Sequence, residues 1–369
     1  MTPRNGNPRP RPPGFSIVEL MVAALIGLIG SIVIFQVFAV SEGQKRTTVS
    51  GGDAQQSGVH SLFTVERDAR MAGYGINIAA LLGCTIVAYN ATRTPTNFSF
   101  KMVPLEIIDG AGGAPDSISF MFGDSDLLMA PAKITQTMPS PAATYKVDNR
   151  YGFVEGDLVI AAELGKNCTL AQVTGVPGTP GQTDNVLHNS GNYTNAQGAN
   201  VPANYNPPGG LGITYTAWDN TTNTGGRLYN LGAAPAVVTY SIDAPSSKLV
   251  YLNSLSAATP TPIVDDIIQL QALYGKDTDA DGDVDAWDVI PPVTAAQWSS
   301  IIALRVAVVA RSALPERPNP ATGVCDITTV QPAWAGGTLV INTDPNWQCY
   351  RYRAYETVVP LRNLIWKPE

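Results

Sequence analysis

Six aspartates fall within twelve residues, Asp277-Thr278-Asp279-Ala280-Asp281-Gly282-Asp283-Val284-Asp285-Ala286-Trp287-Asp288. Oxygen donors at positions one, three, five, nine and twelve, with glycine at six for a sharp turn, are the pattern of a calcium-binding loop. Asp277, Asp279, Asp281, Asp285 and Asp288 would supply carboxylates, Asp283 its main-chain carbonyl, and Val284 is free to pack inward. Aspartate rather than glutamate at position twelve shortens the reach of a bidentate ligand. Calcium suits the set because it accepts many oxygens in flexible geometry, whereas magnesium demands a tight octahedron. The plainer reading is a solvated acidic turn. Six like charges at this spacing repel unless a cation binds, which favours calcium.

The elements that must hold this loop follow from its flanks. Asp266–Tyr274 reads as strand or helix, and Ala303–Arg311 as a strand by its Val and Ala pattern. Thr294-Ala295-Ala296-Gln297 forms a capping box for a short helix through Trp298. Neither flank has the pattern of an EF-hand helix. The loop therefore joins elements of the folded body, which favours a structural role for a bound ion over a sensor's.

The second chemically suggestive stretch is Gly14-Phe15-Ser16-Ile17-Val18-Glu19, which opens the uncharged 21-residue run Leu20–Val40. As a helix rising ~1.5 Å per residue, that run spans ~30 Å, the thickness of a bilayer core. A cleaved secretory signal with Ala39-Val40-Ser41 at its end would need a shorter apolar core. A plain signal anchor fits the length but leaves Glu19 unexplained. Near a helix start an acid is favoured by the dipole, yet in lipid an unpaired carboxylate is costly and usually marks function.

Gly14-Phe15-Ser16-Ile17-Val18-Glu19-Leu20-Met21-Val22-Ala23 resembles the leader junction of type IV prepilins. The resemblance implies that a prepilin peptidase cuts after Gly14 and that Phe15 becomes the N-methylated amino terminus. It also implies that Glu19 pairs with the amino terminus of a neighbouring subunit during assembly. Arg4, Arg9 and Arg11 fit a leader retained on the cytoplasmic side. Three further runs are similar to minor pilins of the PilW family: Glu66–Gly75, Leu270–Asp277 and Cys349–Trp366. The family implies an α+β fold, with a long N-terminal helix packed on a mostly antiparallel β domain. The expected boundaries are a leader 1–14, a pilin helix 15–75 with a transmembrane half 20–40, and a periplasmic or extracellular domain 76–369 holding the calcium loop 277–288. Implied partners are other minor pilins, the major pilin, the prepilin peptidase, the inner-membrane pilus assembly machinery and the membrane. The implied role is to prime fibre assembly and cap its tip, serving twitching, adhesion or DNA uptake. A type II secretion pseudopilin of the J type shares leader and fold, and a membrane-anchored calcium-dependent adhesin is the alternative of another class.

Within the helix, Val59, Leu62, Phe63, Ala69 and Ala72 fall on one face, with a break expected at Gly51-Gly52 and an end at Met71–Gly75, where Gly73 or Gly75 takes the left-handed cap. Strands are expected at Ser117–Phe122, Gly156–Ala162, Val237–Ile242 and Lys248–Leu252. The stretch from about 175 to 232 is crowded with Gly, Pro, Asn and Thr and reads as irregular loops with short strands. The alternating Arg and Tyr of Cys349–Trp366 suit a strand with one aromatic face better than a nucleic-acid surface.

Composition bounds the rest. With 369 residues, 14% charged, 34 Gly and 29 Pro, the body suits a loop-rich β domain. Loss of the three leader arginines would take the formal charge from −7 to −10, which argues against direct nucleic-acid binding. Cys84, Cys168, Cys325 and Cys349 show no zinc spacing. Outside the cytosol they are expected as two disulfides; of three possible connectivities the favoured one is Cys84–Cys168 with Cys325–Cys349, the second worth about 3 kcal/mol on chain-entropy grounds. The histidines, His60 and His188, lie apart, and no nucleophile elbow, zinc-protease helix or phosphate loop is present. The chain is expected to be the substrate of an enzyme and not an enzyme.

Overall fold

The computed structural model describes residues 14, 16–76, 79–126, 130–178 and 184–365. Of the leader, Arg4, Arg9 and Arg11 lie outside the described residues, as do Phe15 and Trp366. Residues 1–52 and 53–369 form two compact units.

The helix α1, Ile17–Met71, is 55 residues long and continues through Gly51-Gly52, where a break was expected. Its apolar part, Ile17–Glu42, has a mean hydropathy of 2.6 and buries none of its side chains against protein. By length and composition this part is able to cross a membrane. The helix stops at Met71, and both Gly73 (φ 84°) and Gly75 (φ 82°) take the left-handed conformation in the turn that follows.

In chain order the first strands are β1 Thr85–Tyr89, β2 Asn97–Lys101, β3 Leu105–Ile108, β4 Ser117–Phe122, β5 Ala132–Lys133, β6 Tyr145–Lys146 and β7 Leu158–Ala162. Next come β8 Cys168–Gln172, β9 Asn185–Val186, β10 Asn192–Thr194, β11 Asn200–Pro202, β12 Arg227–Gly232, β13 Ala236–Asp243 and β14 Lys248–Asn253. The last are β15 Thr261–Asp265, β16 Ile267–Lys276, β17 Ala286–Asp288, β18 Ile301–Arg311, β19 Ala333–Trp334, β20 Gly337–Thr338 and β21 Tyr352–Pro360. Two short helices, α2 Ala295–Ser299 and α3 Arg362–Ile365, flank β18 and β21.

Three sheets carry the body, ordered β2-β1-β8-β7-β12-β5, β15-β14-β13-β4-β3 and β17-β16-β18-β21. Pairing is antiparallel except between β1 and β8, which run parallel at Ile86↔Cys168 and Val87↔Thr169. The middle strands of the first sheet, β8, β7 and β12, are buried on both faces. Leu158, Ile160 and Ala162 of β7 join one core, and Val159 and Ala161 join another, which explains an unbroken apolar run instead of an alternating one. The second and third sheets share a core with Val65, Ala69 and Ala72 of α1.

Two corrections concern α1 and β21. Val59 and Phe63 are 52% and 62% exposed, while Ser61, Val65, Asp68, Ala69 and Ala72 are buried. Leu62, Ala69 and Ala72 of the expected face do pack on the core, whereas Val59 and Phe63 turn away from it and Asp68 joins the buried stripe as a paired acid. In β21, Tyr352 and Tyr355 differ in parity and therefore point to opposite faces, so no single aromatic face exists.

Candidate functional sites: the acidic loop and the N-terminal helix

The acidic loop is the connection of a β-hairpin. β16 and β17 pair at Tyr274↔Asp288, Gly275↔Trp287 and Lys276↔Ala286. Gly275 is required there, because a Cβ would come within 2.8 Å of the Trp287 ring. Arg305 of β18 stacks on the same indole at 4.3 Å, so Trp287 fastens the end of the loop to the sheet. On the other side, the Asp277 N–H donates to Ser300 O at 2.9 Å, just after α2. That helix begins as expected, with Thr294 and Gln297 forming the capping box.

Inside the loop the chain doubles back through two left-handed residues, Ala280 (φ 64°) and Gly282 (φ 95°). Asp277 is buried and accepts from the N–H groups of Ala280 at 2.7 Å and Gly282 at 3.1 Å. Asp285 accepts from the Thr278 N–H and hydroxyl at 2.6 and 2.7 Å, and the Thr278 main-chain bond leads in holding its carboxyl below the usual range.

Asp277, Asp279 and Asp285 each place a carboxylate oxygen within 4.8 Å of the others. Two oxygens on one calcium at 2.3–2.6 Å lie no more than about 5 Å apart, so these three fit a common ion. Asp281, Asp283 and Asp288 stand outside that group. Asp281 accepts from the Asp283 N–H at 2.8 Å. Asp288 accepts from Lys276 Nζ at 2.5 Å and from the Ile290 N–H at 2.8 Å. The lysine therefore already neutralises the twelfth position. Lys276 immediately precedes the motif, and the antiparallel register that carries it beside Asp288 was not legible from the loop alone.

At the other end of the chain, the Ser16 N–H donates to Glu19 Oε2 at 2.9 Å and the Glu19 N–H donates to Ser16 Oγ at 3.2 Å. This reciprocal pair is a capping box, so Glu19 closes the first turn of α1. Gly14 is described and exposed. The disulfides join Cys84 to Cys168 (Cα–Cα 6.1 Å) and Cys325 to Cys349 (Cα–Cα 4.9 Å), the pairing expected. The first links the segment just before β1 to β8 at their parallel junction, and the second closes the long loop between β18 and β21. His188 is buried, stacks on Tyr145 with ring centroids 4.2 Å apart and bonds Ala143 O at 2.8 Å, a structural placement.

A comparison with curated proteins finds no match. Among solved structures, the chain is similar to the type IV-like pilin TTHA1219 from Thermus thermophilus, with 14% identity over 35% of this chain and a TM-score of 0.22. The chain spans 66% of that pilin's length. The region from β13 to β21, with the acidic loop and the hairpin that presents it, lies within residues 234–363, which match the family PilW, Type IV Pilus-assembly protein W.

Proposed function

We propose that this chain is a minor pilin of a type IV pilus. One conjunction carries the reading: an exposed apolar helix that opens within Gly14-Phe15-Ser16-Ile17-Val18-Glu19, and a pilus-assembly family match at the far end of the same chain. The prepilin peptidase releases the leader at Gly14 and methylates Phe15. The chain waits in the inner membrane with its body in the periplasm, then joins other minor pilins in a complex that primes the fibre and sits at its tip. The role is structural and not enzymatic. Glu19 serves twice, first as the cap of its own helix and then, in the assembled fibre, as counter-ion to a neighbour's amino terminus. Both uses satisfy a carboxylate that lipid would penalise.

We further propose that the acidic loop binds one calcium ion through Asp277, Asp279 and Asp285, completed by Asp281, the Asp283 carbonyl and Asp288. The ion would lock a hairpin turn, since both ends of the loop are strand-anchored.

Deletion of the gene tests the assembly role. Loss of surface fibres supports a pilus subunit. Intact fibres with loss of secreted enzymes would instead assign the chain to a secretion pseudopilus of the J type.

A further inference from the structure

An open strand edge is a template for another chain, and folded proteins normally keep such edges short, bulged or broken by proline. Most edges of the three sheets obey this rule. β3 has four residues, β5 two and β17 three. β2 and β15 have five each, and β15 carries Pro262 and a register shift against β14. β21 is the exception, with nine residues paired to β18 from Arg311↔Tyr352 to Ala303↔Pro360 without a shift.

The direction of its free groups follows from the ladder. Just beyond its two ends, the Leu361 N–H donates to Ile302 O and the Ser312 N–H donates to Arg351 O, both at 2.8 Å. Antiparallel bonding alternates, so odd-numbered residues of β21 bond β18 and even-numbered ones face away. The outward groups are those of Tyr352, Ala354, Glu356 and Val358, with Pro360 ending the row. Outside the sheet's own ladder, the main-chain groups of Ala354, Glu356 and Val358 make no hydrogen bond among the described residues. The nearby hairpin of β19 and β20 reaches this strand through a side chain, the Ala335 N–H donating to Glu356 Oε2 at 2.9 Å.

We propose that the outer edge of β21 receives an extended segment of a different chain, which adds a fifth strand to the third sheet. The segment spans about seven residues, ~23 Å at 3.3 Å each. It carries an acid opposite Arg353, which is exposed and has no ion pair among the described residues, and a base opposite Glu356. The charges also argue against a second copy of this chain. Directly opposed residues share a face, and a two-fold antiparallel self-pairing joins residues of equal parity. Arg353 then never meets Glu356, and some registers set like charges against each other. The inference rests on the assembly reading only for where the neighbour is found.

Photo-crosslinking residues placed at Ala354 and Val358, in the full chain within its own membrane, test the proposal. Crosslinks should map to one extended segment of another anchored chain, at sites about four residues apart. Ala354→Pro removes an outward N–H and leaves the β18 bonds, and should cut crosslinking from position 358 at least tenfold. Arg353→Glu combined with Glu356→Arg should do the same with unchanged melting, which covers a misfolded proline variant. Crosslinks only to copies of this chain, crosslinks scattered over many proteins, or none at all would overturn the proposal. If crosslinks fail while the chain still co-isolates with fibres, the edge is refuted and the assembly reading stands. If the chain is absent from fibres, the assembly reading falls.

Discussion

Tyr240 donates its hydroxyl to Asp68 Oδ2 at 2.6 Å, joining a buried acid of α1 to the middle of the second sheet. Arg67 Nε–H donates to the other carboxylate oxygen, Oδ1, at 2.8 Å. Burial leads in raising the Tyr240 pKa, with the Asp68 bond adding to it, so the hydroxyl stays a donor across the physiological range. Tyr240→Phe should lower stability by about 1–3 kcal/mol, because it leaves a buried carboxylate short of a donor. Urea unfolding of the full chain in detergent checks this, and an unchanged midpoint would contradict it.

Gly58 faces Tyr355 across the contact between α1 and β21, and a methyl built on Gly58 would overlap the tyrosine ring. Gly58→Ala should gain about 1 kcal/mol of helix propensity yet lose more through overpacking, for a net cost of about 1–2 kcal/mol. Adding Tyr355→Leu should restore part of the loss, read as a partial recovery of the melting temperature.

Asp116 makes the joint between the second and third sheets. Its main-chain N–H donates to Leu270 O, and its carboxylate accepts from Gly110 and Ala272 at 2.9 and 2.8 Å. Burial pushes its pKa up from 3.8 to about 6. A raised folded pKa means that this residue's contribution is fully present below about pH 4 and is lost as pH rises through 6. The stability difference between wild type and Asp116→Asn should therefore shrink from pH 4.5 to pH 7.5. Denaturant midpoints at the two pH values measure it, and a gap that widens would contradict the assignment.

Calcium should raise the melting temperature of the full chain, since a ligand bound only by the folded state stabilises it. The combined change Asp277→Ala and Asp279→Ala should abolish the shift, whatever it does to the metal-free baseline. Lys276→Gln frees Asp288 and should increase calcium affinity. Calorimetry showing no shift at millimolar calcium would contradict the metal assignment.

What the sequence disclosed and what it hid divide along physical lines. Ser117–Phe122 coincides with β4, Thr294 caps α2, and Ala303–Arg311 lies within β18, because local pattern and capping chemistry determine each of them. The Asp266–Tyr274 ambiguity between strand and helix resolves as β16, which is paired along its length with β18. β12 was missed at the end of the Gly- and Asn-rich stretch, since Arg227-Leu228-Tyr229-Asn230 owes its place to partners far away, β7 and β5. The buried face of α1 was legible at Leu62, Ala69 and Ala72 but not at Asp68, for the same reason. Asp68 is buried only because Tyr240, distant in sequence, supplies its hydrogen bond. In the acidic loop, spacing revealed the donors but not the register that sets Lys276 on Asp288.

Mass spectrometry of the amino terminus of the native chain, isolated from its own membrane, tests the central claim most directly. A chain that begins at N-methylated Phe15 is the predicted result. A chain that retains Met1 and the arginines of residues 1–14, or one cut near Ala39-Val40-Ser41, would contradict it.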